Sequence, residues 1–192
     1  MTAEPTAGDV MWAPDPVRQR AAAYTLEDVV KLPDDAPRVE LLDGVLSVVP
    51  SPSNGHQKIN WKVVGWLERH APEGLEPLFA VGVIVSHRRT LEPDVVLLRS
   101  PVNPDHHYND AEQVVLAVEI VSPSTRRRDR LEKPPLFAEA GIPHFWRIEQ
   151  DPLHVFAYDL VDGAYELVAD SDTELVLSAP FEIKLPISEI TP

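Results

Sequence analysis

Two segments decide the fold of this chain: LEPDVVLL (residues 91–98) and VVLAVEIVSPSTRRRDRLEK (residues 114–133). Each contains an apolar run typical of a strand that is buried on both faces, and each run carries one carboxylate, Asp94 in the first and Glu119 in the second. Burying a carboxylate costs free energy unless a partner compensates its charge. The pattern therefore predicts two central strands and a partner for their acids.

The partner of the two carboxylates has two interpretations. Each acid, taken alone, could lie at a strand end or pair with an arginine. Two acids on neighbouring strands repel each other unless a cation joins them. A carboxylate pair with main-chain carbonyls and waters is a ligand set that suits Mg²⁺ or Mn²⁺, and such a site can promote phosphoryl transfer. The sequence thus predicts a divalent metal site between the two strands.

Length and composition limit the class of protein. The 192 residues predict a flexible N-terminal arm over residues 1–20, which is rich in Pro, Ala and Thr, and a single domain over residues 21–192. The absence of cysteine excludes disulfides and thiolate metal sites and fits a reducing cytoplasm. No stretch resembles a signal peptide or a membrane span, so we expect a cytoplasmic protein without a membrane partner.

The chain is acidic overall but contains one cluster of basic residues. A net charge of −14 argues against a general nucleic-acid coat protein, because phosphate binding depends on clustered Lys and Arg. Such a cluster follows Glu119 directly and comprises Arg126, Arg127, Arg128, Arg130 and Lys133. Its arginines are either a solvated face or contacts to a phosphate backbone.

The remaining pattern predicts a mixed α/β domain built around one sheet. Thr25 would cap a short helix, and Asp43-Gly44 and Asp162-Gly163 would form two hairpin turns. Apolar residues at helical spacing predict a long helix after Asn54. Strands are expected at 78–87, 92–99 and 113–121, and a later helix should end at Gly141. The loop 100–111, with its HHYND segment, is interpreted as solvated, and Trp61 and Trp66 as core or boundary residues.

At this point the sequence resembles a known family. The segments ELLDGVL, PSPSNGHQ, EPDVVLL, VEIVSPSTRRRDRLEK and LFAEAGIPHFW, in this order, are similar to the Uma-two family of candidate restriction endonucleases. The resemblance implies the restriction-endonuclease-like PD-(D/E)XK fold: a mixed central sheet flanked by helices, here with an extra C-terminal β-hairpin region. It also implies DNA as substrate, Mg²⁺ or Mn²⁺ as cofactor, and a homodimer as one expected assembly.

The resemblance implies a set of site residues. Asp94 and Glu119 match the two acids and would bind the metal with the Ile120 carbonyl. The usual lysine two residues after the second acid is absent, since position 121 is Val, and Lys133 matches the lysine that this family takes from the following helix. Pro134 and Pro135 come next and disfavour helical geometry at Lys133, which leaves its direction open.

Two further positions match the family with open roles. Glu40 in the first hairpin is either a supporting site residue or part of a strand-edge ion pair. His56 at the start of the long helix either supports the site or makes a helix-terminus hydrogen bond. The predicted function is a metal-dependent endonuclease. The alternatives are a non-catalytic module of the same fold that binds DNA or protein, and a hydrolase of small phosphate esters.

Overall fold

The computed structural model describes residues 12–33 and 36–192. Its helices are α1 (Pro16–Arg20), α2 (Leu26–Val29), α3 (Asn54–His70), α4 (Lys133–Glu139) and α5 (Ile187–Ile190). Its strands are β1 (Val39–Leu42), β2 (Val45–Val48), β3 (Leu75–Phe79), β4 (Gly82–Ser86), β5 (Arg89–Leu91), β6 (Val95–Arg99), β7 (Tyr108–Asp110), β8 (Val114–Val121), β9 (His144–Gln150), β10 (Leu153–Val161), β11 (Ala164–Ser171), β12 (Glu174–Leu177) and β13 (Ile183–Pro186). The predicted mixed α/β class is confirmed.

The described strands form two larger sheets and a ribbon. One sheet has the order β2-β1-β5-β4-β7, and the other has the order β11-β10-β9-β8-β6-β3. The second sheet is mixed, because β8 runs parallel to β9 and antiparallel to β6. Strands β12 and β13 pair as a separate ribbon. The prediction of a single sheet is therefore wrong, although the six-stranded sheet is mixed as predicted.

Strand β8 lies at the centre of the core, and all eight of its residues are buried. Leu116, Val118 and Ile120 pack on one side with α3, β12, β13 and α5. Ala117 packs on the other side with Phe137 of α4 and with the five-stranded sheet. Since side chains alternate along a strand, Glu119 lies on the same side as Ala117. The second predicted acid thus faces the space between α4 and the five-stranded sheet.

The chain passes between the two sheets in places where the sequence predicted continuous strands. The expected strand 78–87 is interrupted at Ala80, whose φ is +58°, so that β3 joins the six-stranded sheet and β4 the five-stranded sheet. The expected strand 92–99 is likewise preceded by a crossing over Glu92, Pro93 and Asp94, between β5 and β6. Apolar runs do not reveal such crossings because both halves are buried. Asp94 consequently lies at the junction of the two sheets.

Local predictions from turn and cap residues agree with the structure. Asp43 and Gly44 both have positive φ and join β1 to β2, and Asp162 and Gly163 do the same between β10 and β11. Thr25 forms a capping box with Asp28. Helix α3 begins after Ser53, whose side chain accepts the His56 N–H.

Other segments differ from the predictions. Strand β13 and strand β7, which lies inside the expected loop 100–111, are both short and were not predicted. Residues 1–11 of the expected arm lie outside the described residues. The end of that arm forms α1, where Gln19 hydrogen-bonds both main-chain groups of Leu46 in β2. Residues 16–20 of the predicted arm are thus helical and attached to β2.

Candidate active site

Elements from both sheets bring the predicted site residues together. Strand β1 supplies Glu40, and the crossing between β5 and β6 supplies Asp94. Strand β8 supplies Glu119, and the first turn of α3 supplies His56. Lys133 is the first residue of α4, which packs over the same side of the six-stranded sheet. The site lies in the space between the two sheets.

Lys133 points into this site although two prolines follow it. Its Nζ donates to Glu119 Oε1 at 2.8 Å and to the Glu92 carbonyl at 3.2 Å, and it lies 3.0 Å from Glu40 Oε1. The side chain is 10% exposed. Burial alone would lower the pKa of Lys133, but the surrounding carboxylates outweigh that effect and raise it. Lys133 is therefore a buried cation at neutral pH.

A wide helical turn before α4 explains how the prolines are accommodated. Residues Arg128–Glu132 form a π-helical turn, in which the Lys133 N–H donates to the Arg128 carbonyl. Pro134 and Pro135 occupy the first turn of α4, where amide groups have no helical acceptor in any case. The prolines thus start a helix without a lost hydrogen bond, and the open question of the direction of Lys133 is answered.

Asp94 accepts one hydrogen bond on each of its oxygens. His56 Nε2 lies 2.9 Å from Oδ1, and the Ile120 N–H donates to Oδ2 at 2.7 Å. His56 is buried, and its Nδ1 has no partner among the described residues. The main chain of Ile120 therefore lies next to the carboxylate, although the contact is made by the N–H rather than by the carbonyl. His56 holds one carboxylate oxygen in place.

Glu40 is a buried member of the same group. Its Oε2 accepts from the Arg128 guanidinium, and its Oε1 accepts the Glu92 N–H at 3.1 Å. It also contacts Lys133, as described above. The ion pair that was one of the two interpretations of Glu40 is therefore present. It does not lie at a strand edge but joins the site to Arg128 of the arginine cluster.

Two acids in this group were not predicted as site residues. Asp129 lies 4.0 Å from Lys133 Nζ and is buried, and Glu92 contributes its main chain to both Glu40 and Lys133. The spacing of Asp129 and Lys133 is i, i+4, which would have placed them on one helix face. Glu92 carries no such signal, because its role depends on the crossing between the sheets.

Burial raises the pKa of two acids of this site, Glu119 and Asp129. Burial raises the pKa of Glu119 well above its usual range, while Lys133 opposes the shift and Asp94 adds to it. Burial also raises the pKa of Asp129 to about 6, again opposed by Lys133. Glu119 and Asp129 therefore take up protons more readily than exposed carboxylates do.

The arginine cluster is divided between internal ion pairs and solvent. Arg128 binds Glu40, and Arg130 makes a bidentate pair with Glu149 at 2.8 Å for both contacts. Arg127 is exposed and pairs with Glu132. Arg126 is exposed and has no carboxylate partner within the described part of the chain. Within the cluster, Arg126 and Arg127, whose pair with Glu132 is itself at the surface, are therefore the arginines most accessible to a phosphate.

The site offers oxygen donors of the kind that a hard cation uses. Within residues 12–33 and 36–192, however, no three His, Asp or Glu side chains are arranged to bind one metal ion. Asp94 and Glu119 are close enough for the charge of one to affect the other. Two carboxylates with a main-chain carbonyl and waters fit the way in which Mg²⁺ is commonly held.

The remaining predicted residues lie apart from this group. Trp66 is buried in the core, whereas Trp61 on the same helix is 72% exposed, so its assignment to the core or its boundary is wrong. Helix periodicity places Trp61 off the apolar face that Ile59 and Val63 share. His106 and His107 are exposed, as expected of a solvated loop, but the same prediction is wrong for Asn109, which is buried in β7. No described helix has the length and apolarity needed to cross a membrane.

Comparisons with known proteins agree with this architecture. The family model Uma2, described as "Putative restriction endonuclease", matches residues 26–188. A solved protein from Anabaena variabilis, described as a "putative nuclease belonging to DUF820", is similar in fold with a TM-score of 0.69. Its sequence is 18% identical, and the match covers 88% of this chain and 97% of that one. No protein with a curated description matches. Because the family model spans most of the chain, this protein belongs to the Uma2 family and has its restriction-endonuclease-like fold.

Proposed function

We propose that this protein is a metal-dependent endonuclease that hydrolyses phosphodiester bonds of DNA. One observation carries the proposal: a buried lysine contacts Glu119 beside Asp94, although its sequence context of two prolines left its direction open. Core packing alone does not require a lysine beside paired acids. Replacing such a buried ion pair with apolar residues of similar size often leaves a protein equally stable.

The residues divide into those that would hold a cation and those that position them. Asp94 and Glu119, with the Ile120 carbonyl, would hold Mg²⁺ or Mn²⁺. Such an ion would polarise a phosphoryl oxygen and lower the pKa of a water. His56 and the Ile120 N–H fix the Asp94 carboxylate. Lys133 would stabilise the negative charge that develops on the phosphoryl group.

Cleavage assays with matched variants test this proposal. Plasmid DNA and short duplexes would be incubated with Mg²⁺ or Mn²⁺. Asp94→Asn should abolish cleavage and weaken Mn²⁺ binding, measured by calorimetry, because an amide lacks the charge that a hard cation requires. Lys133→Ala should lower cleavage by about 10²–10³ while Mn²⁺ still binds. Asp172→Asn and Lys184→Ala, both exposed, are the controls and should behave as the parent.

A second function is favoured by one observation: no three-ligand group is arranged for a metal among the described residues. A non-catalytic DNA-binding module of this fold would bind duplex DNA but show neither Mn²⁺ binding nor cleavage at any metal concentration. Activity on a model phosphodiester without activity on DNA would instead indicate a hydrolase of small phosphate esters. A cytoplasmic location and a homodimer stay predictions.

A further inference from the structure

The exposure of the acids indicates the side from which a substrate reaches the site. The Asp94 side chain is 22% exposed, whereas the side chains of Glu40, Glu119 and Asp129 are at most 4% exposed. Asp94 lies against the first turn of α3, where His56 contacts it. The entrance to the site is therefore the surface around the beginning of α3.

Two segments without acids meet at this entrance. Residues 51–67 contain two lysines and residues 120–128 contain three arginines, but neither segment contains an Asp or Glu, in a chain with 31 acids. Gln150 joins the two segments. Its Nε2 donates to the Val121 carbonyl at 2.8 Å, and a Cβ atom at Gly55 of α3 would lie 3.8 Å from its Oε1. The fold thus places the two segments side by side.

The cations at the entrance are available to an anion. Within the described residues, the ion pairs of α3 involve His56 and Arg69, so the exposed Lys58 has no carboxylate partner. Arg126 on the adjoining segment is exposed and unpaired as well. Asp151 in the β9–β10 turn is an exposed acid at the same end of the sheet. Positive charge on both segments nevertheless suits the regularly spaced charges of a phosphate backbone.

The outward face of α3 presents an exposed aromatic ring between two lysines. Trp61 is 72% exposed, more than any other large apolar residue that the structure describes. Lys58 and Lys62 flank it, and with Asn54 and Gln57 these residues line one groove along the helix. Their spacing places them on the same side of α3. Tryptophan is enriched at binding surfaces, because its ring supplies a large contact area with few rotatable bonds.

From these features we infer that the outward face of α3 binds an unpaired DNA strand, with Lys58 contacting its phosphates and Trp61 stacking on one of its bases. Proteins that bind single strands combine a basic groove with aromatic side chains, because every base has a face that can stack. The inference rests on the proposed endonuclease function. It narrows the favoured substrate to DNA with a single-stranded segment next to the point of cleavage.

Binding to matched DNA probes tests the inference. A labelled blunt duplex, and the same duplex with a 5′ or a 3′ single-stranded overhang, would be titrated with the full chain in metal-free buffer and followed by fluorescence anisotropy. The parent should bind one of the overhang probes more tightly than the blunt duplex. Trp61→Ala should weaken that binding by about 5–150-fold, the scale of one lost base stack, and leave the affinity for the blunt duplex unchanged.

Two further exchanges at the same position separate base stacking from general apolar contact. Trp61→Phe keeps an aromatic ring and should retain most of the affinity for the overhang probe. Trp61→Leu keeps apolar area alone and should bind as weakly as Trp61→Ala. Because the ring is exposed, all three variants should unfold at the Tm of the parent. Parent-like binding of the overhang probe by Trp61→Leu would overturn the stacking contact.

Charge exchanges along α3 test the path of the phosphate backbone. Lys58→Ala should reduce the slope of log affinity against log salt concentration for the overhang probe by about 0.7. Arg69→Ala is the matched control, because Arg69 lies about 16 Å further along α3 and pairs with Glu189. It should leave the slope unchanged. An equal effect of the two variants would contradict a strand that enters at the beginning of α3.

The remaining outcomes separate the inference from its rivals. Absent binding, or equal affinity of the parent for blunt and overhang probes, would overturn it. A dimer in analytical ultracentrifugation that Trp61→Ala abolishes would also overturn it, because the ring would then contact a second copy of the chain. Overhang binding that depends on Trp61, without cleavage at any metal concentration, would support the inference and contradict the endonuclease proposal. Cleavage of overhang DNA that Trp61→Ala leaves unchanged would contradict the inference alone.

Discussion

Lys133 brings one positive charge into a group of four acids, because Glu40, Asp94, Glu119 and Asp129 all raise its pKa. Removing one partner of a buried ion pair usually costs more than the pair itself contributes, since the remaining charges are left without compensation. The lysine is therefore important for stability as well as for the proposed chemistry.

Lys133→Met should lower the free energy of unfolding at pH 8 by about 3–5 kcal/mol. The loss should shrink at pH 5, because the acids with raised pKa values take up protons and need less compensation. Urea denaturation followed by circular dichroism measures both values. Lys184→Met on the surface is the control and should change stability by less than about 0.5 kcal/mol. A loss below 1 kcal/mol for Lys133→Met at pH 8 would mean that water reaches the acids.

Asp129 predicts a pH dependence with a definite sign. Its pKa is about 6 in the folded protein, while an unfolded aspartate titrates near 3.9, so between these values the folded state binds more protons. Stability from this group is therefore highest at low pH and is lost as pH rises through 6. Asp129→Asn should gain stability relative to the parent by about 2–3 kcal/mol between pH 4 and pH 7.5. Asp172→Asn should show no such change with pH.

At the scale of elements, turn residues determine where Glu40 lies. The β1–β2 hairpin carries Glu40 into the site, and its turn packs against the chain before α2, where the Tyr24 N–H donates to the Gly44 carbonyl. A Cβ atom at Gly44, whose φ is +89°, would lie 2.0 Å from the Ala22 carbonyl oxygen. Gly163 has a similar φ of +82° in the β10–β11 turn, but open space around it.

Gly44→Ala and Gly163→Ala form a matched pair. Both should lose about 1–2 kcal/mol from the left-handed backbone conformation. Gly44→Ala should lose at least about 2 kcal/mol more, because its new methyl group meets main-chain atoms that cannot move away easily. Urea denaturation of the two variants checks the difference. Equal losses of unfolding free energy in the two variants would show that the chain before α2 moves away from the new methyl group without an energetic penalty.

Turn and cap residues were also where sequence reasoning was most accurate. Asp43-Gly44, Asp162-Gly163 and Thr25 act locally, so their patterns can be recognised without knowledge of the fold. The crossings at Ala80 and at Glu92–Asp94 could not be recognised, because a buried apolar run looks the same whether or not its strand changes sheets. Asp94 and Glu119 were predicted from their places in apolar runs and Lys133 from the family resemblance, whereas Glu92, whose role depends on a crossing, was missed.

At the scale of the whole molecule, an acidic protein would have to meet DNA through a small basic surface. The net charge is −14, and the exposed arginines of the cluster are Arg126, Arg127 and Arg130, of which Arg130 makes a bidentate pair with Glu149. Binding to phosphates releases counterions, so the affinity for DNA should fall as the salt concentration rises. The slope of log affinity against log salt concentration is proportional to the number of phosphate contacts. Because few cations are available, we expect a shallow slope for this protein.

Arg126→Ala and Arg127→Ala should each reduce the slope of log affinity against log salt by about 0.9. Fluorescence anisotropy with a labelled duplex at several salt concentrations measures it. Arg69→Ala is the control, because Arg69 lies thirteen residues after His56 on α3, about 20 Å from the site. An equal effect of Arg69→Ala would indicate that DNA binds elsewhere.

The separation of the site residues along the chain also has a consequence for the order of folding. Glu40 and Arg128 are 88 positions apart, and Lys133 reaches the Glu92 carbonyl 41 positions away. Closing such long loops is entropically costly, so these contacts should form after the rate-limiting barrier. Lys133→Met should then speed unfolding by about 10²–10⁴ and leave the folding rate nearly unchanged. Stopped-flow measurements over a range of urea concentrations would show this as a shift of the unfolding limb alone. A slower folding limb would place the ion pairs of the site in the folding nucleus.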